Sequence, residues 1–157
     1  VFFANSTSGL AITREIVDLA IGGAQPAIAW LNYERYNSPR RLLLNNIIAK
    51  GADSALGEYR DHRKGRPAEE PLSEGQMNSL GYELLYTFKR VSDAIQVFKL
   101  NVEDYPRSSN VYDSLGEALA VNGNNELAIK NYERSIELNP NNKAGIEALK
   151  KLRENKE

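Results

Sequence analysis

The sequence predicts an all-α fold: an α-α superhelix of paired helices, closed by a C-terminal capping helix and preceded by a short strand and helix. Three observations predict it. Ala94-Ile95-Gln96-Val97-Phe98 returns 34 residues later as Ala128-Ile129-Lys130-Asn131-Tyr132. At the same offset Tyr105-Pro106 returns as Asn139-Pro140. Upstream, Met77-x-x-Leu80-Gly81-x-x-Leu84 returns 35 residues later as Tyr112-x-x-Leu115-Gly116-x-x-Leu119. A fixed period of this length denotes one supersecondary unit, which buries its apolar side only by stacking on its neighbours.

Each repeated position has a packing reason. Gly81 and Gly116 fall mid-helix, where glycine costs about 1 kcal/mol relative to alanine. The cost is tolerable where another helix must come close. Ala94 and Ala128 are the small residues of the partner helix, and Phe98 and Tyr132 fill the space beside them. Pro106 and Pro140 cannot continue a helix, so they end the second helix of each pair. With a large residue, Leu-Gly, Ala-x-x-x-aromatic and Pro in this order, the stretch resembles the tetratricopeptide repeat family. The resemblance implies stacked helix pairs at residues 73–106 and 109–140, a degenerate first unit at 37–64 and a capping helix at 142–157.

Whole-chain properties narrow the function. Among 157 residues 41% are hydrophobic and 26% charged, a globular composition. A net charge of −1 draws the chain to neither nucleic acid nor an anionic membrane. No apolar run approaches the ~20 residues that span a bilayer. Cysteine is absent, which excludes disulfides and thiolate zinc sites and leaves the compartment open. His62 is the only histidine, so no metal cluster is expected. The basic stretch 60–66 reads as a solvated face. We find no nucleophile–base pair and no phosphate loop, and expect neither catalytic residues nor a cofactor.

From the N-terminus, residues 1–5 are aromatic and β-branched and read as a strand ending at Asn5-Ser6-Thr7-Ser8-Gly9. A helix over 10–21 follows, closed by Gly22-Gly23. Its charges, Arg14, Glu15 and Asp18, occupy one narrow arc, and its apolar residues spread over most of the rest. Strand and helix both want partners, so residues 1–36 read as a remnant of an upstream domain in a longer chain. Val1-Phe2-Phe3-Ala4-Asn5, the small-residue turn, Gly9 and the apolar helix resemble the last strand and terminal helix of serine β-lactamase and penicillin-binding-protein-like hydrolases. The resemblance covers about residues 1–23 and none of the catalytic motifs: Ser-x-x-Lys, Lys-Thr-Gly and Tyr-x-Asn are missing. It implies a bracing tail of such a hydrolase or esterase, often an exported one. The unpaired strand edge offers a route to a homodimer.

Trp30, Tyr33 and Tyr36 share one helical side within 25–36 and read as core. Ser38-Pro39 is a helix start, followed by inward-facing Leu42, Leu43, Leu44, Ile47 and Ile48 and a stop at Gly51. Ala55-Leu56-Gly57-Glu58-Tyr59 is a third copy of the alanine–aromatic motif. Residues 62–71, with two prolines, read as a linker. Ser73-x-x-Gln76 is a capping box. The 35-residue offset places one extra residue in the turn over 87–92.

The family resemblance implies that the first helix of each unit lines a concave groove that takes a protein or peptide segment. In its register the groove residues are Asn78, Tyr82, Leu85 and Tyr86, then Asn110, Asp113, Glu117 and Val121, with Glu147 and Lys151 on the cap. The basic clamp of chaperone-binding members is not matched, because Asn78, Tyr82 and Asp113 stand at its places. The parent's own catalytic domain is the alternative occupant. Lys150 stands 34 residues after Gly116 and blocks a further unit, which makes the last helix a cap. Gly116→Leu is expected to cost about 1–3 kcal/mol by overpacking. Lys150→Ala should change stability by less than about 0.5 kcal/mol. Denaturant melts of the two variants check this register, and equal effects would refute it.

Overall fold

The computed structural model describes residues 22, 34, 37–65 and 70–154. Contacts divide the chain into two compact units, Val1–Asn45 and Asn46–Glu157. The expected strand at 1–5, the helix at 10–21 and the Trp30, Tyr33 and Tyr36 stripe lie outside the described residues.

Every regular element among the described residues is helical: α1 (Pro39–Lys50), α2 (Ala52–Gly65), α3 (Glu74–Tyr82), α4 (Val91–Asp104), α5 (Ser109–Val121), α6 (Asn125–Leu138) and α7 (Lys143–Glu154). A π-helical turn, Glu83–Thr87, extends α3. The expected all-α class holds for these residues.

In the first unit, Ser38 starts α1 as its side chain predicts. Its Oγ accepts from the Arg41 N–H at 3.1 Å and donates to Glu34 Oε1 at 2.6 Å. Arg40 Nε donates to the same oxygen at 2.8 Å, so an arginine neutralises the carboxylate beside the helix start. Along α1 as a whole, which runs past Asn45, Leu43, Leu44 and Ile47 are buried as expected, but Leu42 and Ile48 are exposed at 49% and 39%. At about 100° per residue, five such positions span more of a helix than one contact face covers.

In the second unit, successive helices pack on one another from α3 through α7, and α2 packs on α4. Gly51, at φ +86°, separates α1 from α2. The Asp93 carboxylate of α4 accepts from the Ala52 N–H at 2.9 Å, satisfying a donor at the start of α2 from a helix distant in sequence. Ala55 and Leu56 are buried, and the Tyr59 hydroxyl accepts from Leu72 N at 2.9 Å. Part of the basic stretch is paired rather than simply solvated, with Arg60 on Glu103 at 3.0 Å and Arg63 on Asp104 at 2.7 Å. The capping box at α3 is complete: Ser73 Oγ accepts from Gln76 N at 3.3 Å, and Gln76 Oε1 accepts from Ser73 N at 2.9 Å.

The glycines do the packing work their positions require. A Cβ on Gly81 would lie 2.5 Å from two ring carbons of Phe98, and one on Gly116 would lie 3.2 Å from three of Tyr132. The aromatic of the second helix thus lies directly on the glycine of the first, in both pairs. Ala94, Ala128 and Phe98 are completely buried and Tyr132 nearly so, which closes the space around each seat.

The extra residue is not where the offset alone placed it. Gly123, at φ +78°, corresponds to Lys89, at φ +56°, 34 residues earlier. The 35-residue spacing persists up to Leu84 and Leu119. The insertion therefore lies between Leu84 and Lys89, inside the helix end. It is absorbed by the π turn: Phe88 N bonds Glu83 O at 3.1 Å, and Arg90 N bonds Leu84 O at 2.8 Å where Asn124 N bonds Leu119 O at 2.9 Å. Leu84 and Leu85 stay buried through this widening.

The two seats differ in tightness, so they should respond differently to one methyl group. Gly81→Ala is expected to destabilise by about 1–3 kcal/mol through overpacking against a fully enclosed ring. Gly116→Ala should be nearer neutral, because a small shift of Tyr132 relieves the contact while alanine improves helix propensity by about 1 kcal/mol. Denaturant unfolding with a Gly81→Ala/Phe98→Leu double-mutant cycle measures the coupling. Additivity would refute the contact.

Candidate functional site

The polar residues of the first helices gather across α3 and α5. Tyr82 leaves the end of α3, and Tyr86 follows on the π turn. Their rings stack with centroids 6.0 Å apart and planes 7° from parallel. Tyr82 also meets Phe98 edge-on at 5.2 Å, so the glycine seat below holds the exposed aromatic pair above.

Both phenols converge on one carboxylate. Tyr82 donates to Glu117 Oε2 at 2.9 Å and also contacts Ser114 Oγ at 3.2 Å. Tyr86 donates to Glu117 Oε1. Glu117 stands 35 residues after Tyr82, so the Tyr82–Glu117 bond joins equivalent positions of the repeated sequence. Ser114 is almost fully buried and Tyr86 is 46% exposed, which runs the cluster from core to surface.

Asp113, one turn before Glu117, faces the start of α7. Its Oδ1 accepts from Asn142 Nδ2 at 2.6 Å, and the same nitrogen reaches Ser135 Oγ at 2.9 Å. Asn142 Oδ1 accepts from Gly145 N at 3.0 Å, which caps α7. A Cβ on Gly145 would lie 2.6 Å from Asn142 Nδ2 and 2.7 Å from Asp113 Oδ1, so only glycine leaves room for this joint.

The local field is negative. Burial raises the Tyr82 phenol well above the ordinary tyrosine range, and Glu117 and Asp113 raise it further against the Ser114 hydrogen bond. Burial and the Glu117 carboxylate push Tyr86 up to about 12. Burial, then Asp113 and Glu117, raise Tyr132. Asp113 is itself raised by burial and by Glu117, against the hydrogen bond from Asn142.

The structure places the ten sequence-derived groove residues unevenly. It brings Tyr82, Tyr86 and Glu117 into contact, with Asp113 close enough to act on Tyr82 electrostatically. Leu85 is in the core at 2% exposure. Asn78 is half-buried, and its Oδ1 has no hydrogen-bond partner. Asn110 is exposed and donates to Glu74 Oε1 at 3.0 Å, away from the tyrosine cluster. Val121, Glu147 and Lys151 are exposed. Sequence reading did not single out Ser114, Asn142 or Gly145 for this face. A short Asn-x-x-Gly at the start of α7 was the available signal, legible only as a helix cap.

Among the described residues the fold is all-α, and the α3–α4 and α5–α6 pairs each carry a glycine–aromatic contact below an acidic, tyrosine-lined patch. No protein-family model matches the chain, and no curated protein matches it. Among the described residues no helix is long and apolar enough to cross a membrane.

The tyrosine shifts make stability depend on alkaline pH. A phenol whose folded pKa exceeds its unfolded value of about 10 contributes stability present below pH ~10. That contribution is lost as pH rises through the folded value, about 12 for Tyr86. Ultraviolet titration should show Tyr86 ionising near that value, and Glu117→Gln should lower it, with burial retaining part of the shift. An unchanged titration in Glu117→Gln would contradict the assigned bond.

Proposed function

We propose that this chain is a helical-repeat protein of the tetratricopeptide kind, whose helix pairs form a superhelix and bind a protein segment without catalysis. The observation that carries this reading is the recurrence of one packing device. Gly81 under Phe98 and Gly116 under Tyr132 stand at the spacing of the repeated text, each beside a buried alanine. Stacked units of this kind curve and present the first helices of their pairs to a ligand.

The exposed side of that surface carries Tyr86 and Val121, with Tyr82, Asp113 and Glu117 beside them. Hydrogen bonds from both tyrosines to Glu117 fix these side chains before a ligand arrives. Fixing them beforehand reduces the ordering cost of binding, which runs to about 0.5–1.5 kcal/mol per long side chain. Leu85 supports the face from the core.

Selection of random peptides displayed against the intact chain tests the reading. Selected peptides should lose about 2 kcal/mol, some thirtyfold in affinity, on Tyr86→Ala, as for a central aromatic anchor. The same preparation should leave a nitrophenyl ester and a β-lactam unhydrolysed. Turnover of either substrate, or peptides indifferent to both Tyr86→Ala and Val121→Glu, would contradict it.

A further inference from the structure

The Tyr82, Tyr86, Asp113 and Glu117 face carries negative charge that the described residues leave uncompensated. Among the described residues Glu117 bonds only to the two phenols, and Asp113 only to the Asn142 carboxamide. Neither carboxylate forms an ion pair among the described residues, whereas Asp93, Asp104, Glu103, Glu133 and Glu137 each hold an arginine. Lys151, the register equivalent of Glu117 on α7, is exposed and pairs with neither. Burial is the first cause of the upward shifts of Tyr82, Tyr132 and Asp113, and the neighbouring carboxylates add to each in the same direction.

A second observation bears on what the aromatic edge accepts. Tyr86 is 46% exposed, and Lys89 Nζ stands over its ring at 5.9 Å from the centroid. Lys89 is exposed at the mouth of the turn and takes no carboxylate among the described residues. The ring thus already seats a cation on its face, the attraction expected between an ammonium and an aromatic quadrupole. Anionic and aromatic groups placed side by side suit a group that is both cationic and able to lie on a ring. A guanidinium does both.

We infer that the segment taken by this face is basic, with an arginine or lysine side chain lying on the Tyr86 ring and reaching the Asp113 and Glu117 carboxylates. The inference rests on the interaction reading above and names the partner's chemistry. In the bound state the incoming cation displaces Lys89 from the ring, and Glu117 keeps its phenol hydrogen bonds while accepting the new one. Charge complementarity of this kind makes binding selective and salt-sensitive.

The test uses the intact chain and three fluorescein-labelled decapeptides of one alanine–leucine framework, carrying arginine, glutamine or glutamate at the same three places. Anisotropy gives the affinities, and amide chemical shifts of Tyr82, Tyr86 and Glu117 report the place of binding. The arginine peptide should bind at least about tenfold tighter than the glutamine peptide, and the glutamate peptide weakest. Glu117→Gln with Asp113→Asn should erase that preference, and Glu137→Gln on α6 should preserve it. Lys89→Ala, an exposed change, should tighten the arginine peptide, which keeps the inference testable if the carboxylate variant fails to fold. Equal affinity of all three peptides at this face would overturn the basic partner and leave the interaction reading standing. No shift of these amides with any peptide would overturn both. An arginine preference that survives the carboxylate variant would mean diffuse charge attraction and would also overturn the inference.

Discussion

An aromatic ring lying on a bare glycine is the contact on which the rest of the second unit depends. Phe98 on Gly81 and Tyr132 on Gly116 let two helices approach closely, most tightly at Gly81, where an added Cβ would lie 2.5 Å from the ring. The contact fixes the distance within each pair, and the buried alanines and leucines around it supply the apolar area. Glycine weakens a helix when considered alone. Packing outweighs propensity at Gly81, where an added Cβ would lie 2.5 Å from the ring, and roughly balances it at Gly116, where the distance is 3.2 Å.

The polar face is built on those seats. Tyr82 touches Phe98 below and Tyr86 above, so the ring that fills the first seat also orients the surface aromatics. Glu117 then ties α3 to α5 through two phenols, and Asp113 ties α5 to the start of α7 through Asn142. The second joint needs its own glycine, Gly145, for the same steric reason. Hydrogen bonds between helix pairs, one of them joining the equivalent positions Tyr82 and Glu117, therefore set the relation of one helix pair to the next, while the ring seats set the relation of helices within a pair.

Much of the second unit was legible in the sequence because its controlling features are residue identities at fixed spacing. Ser73 and Gln76 announced the start of α3, and Gly81, Phe98, Gly116 and Tyr132 announced their contacts. The position of the extra residue was not legible. An offset of 35 says that one residue is inserted, but hydrogen bonding decides whether a turn or a helix end absorbs it. The π turn at Glu83–Thr87 also changes where successive side chains point, which is why Leu85 enters the core while Tyr86 joins Tyr82 in a stack. Convergence of both phenols on Glu117 was equally hidden, since register aligns equivalent positions without saying which of them bond. In α1 the run of leucines and isoleucines overstated burial, because composition does not say how wide a face the neighbours cover.

The most direct measurement of the central contact is the set of nuclear Overhauser effects from the α-protons of Gly81 and Gly116 in the intact, isotope-labelled chain. Strong cross-peaks from Gly81 to the Phe98 ring and from Gly116 to the Tyr132 ring, with ring-current-shifted glycine α-protons, are the expected result. Glycine α-protons at unshifted positions with no cross-peak to either ring would contradict the account at its base.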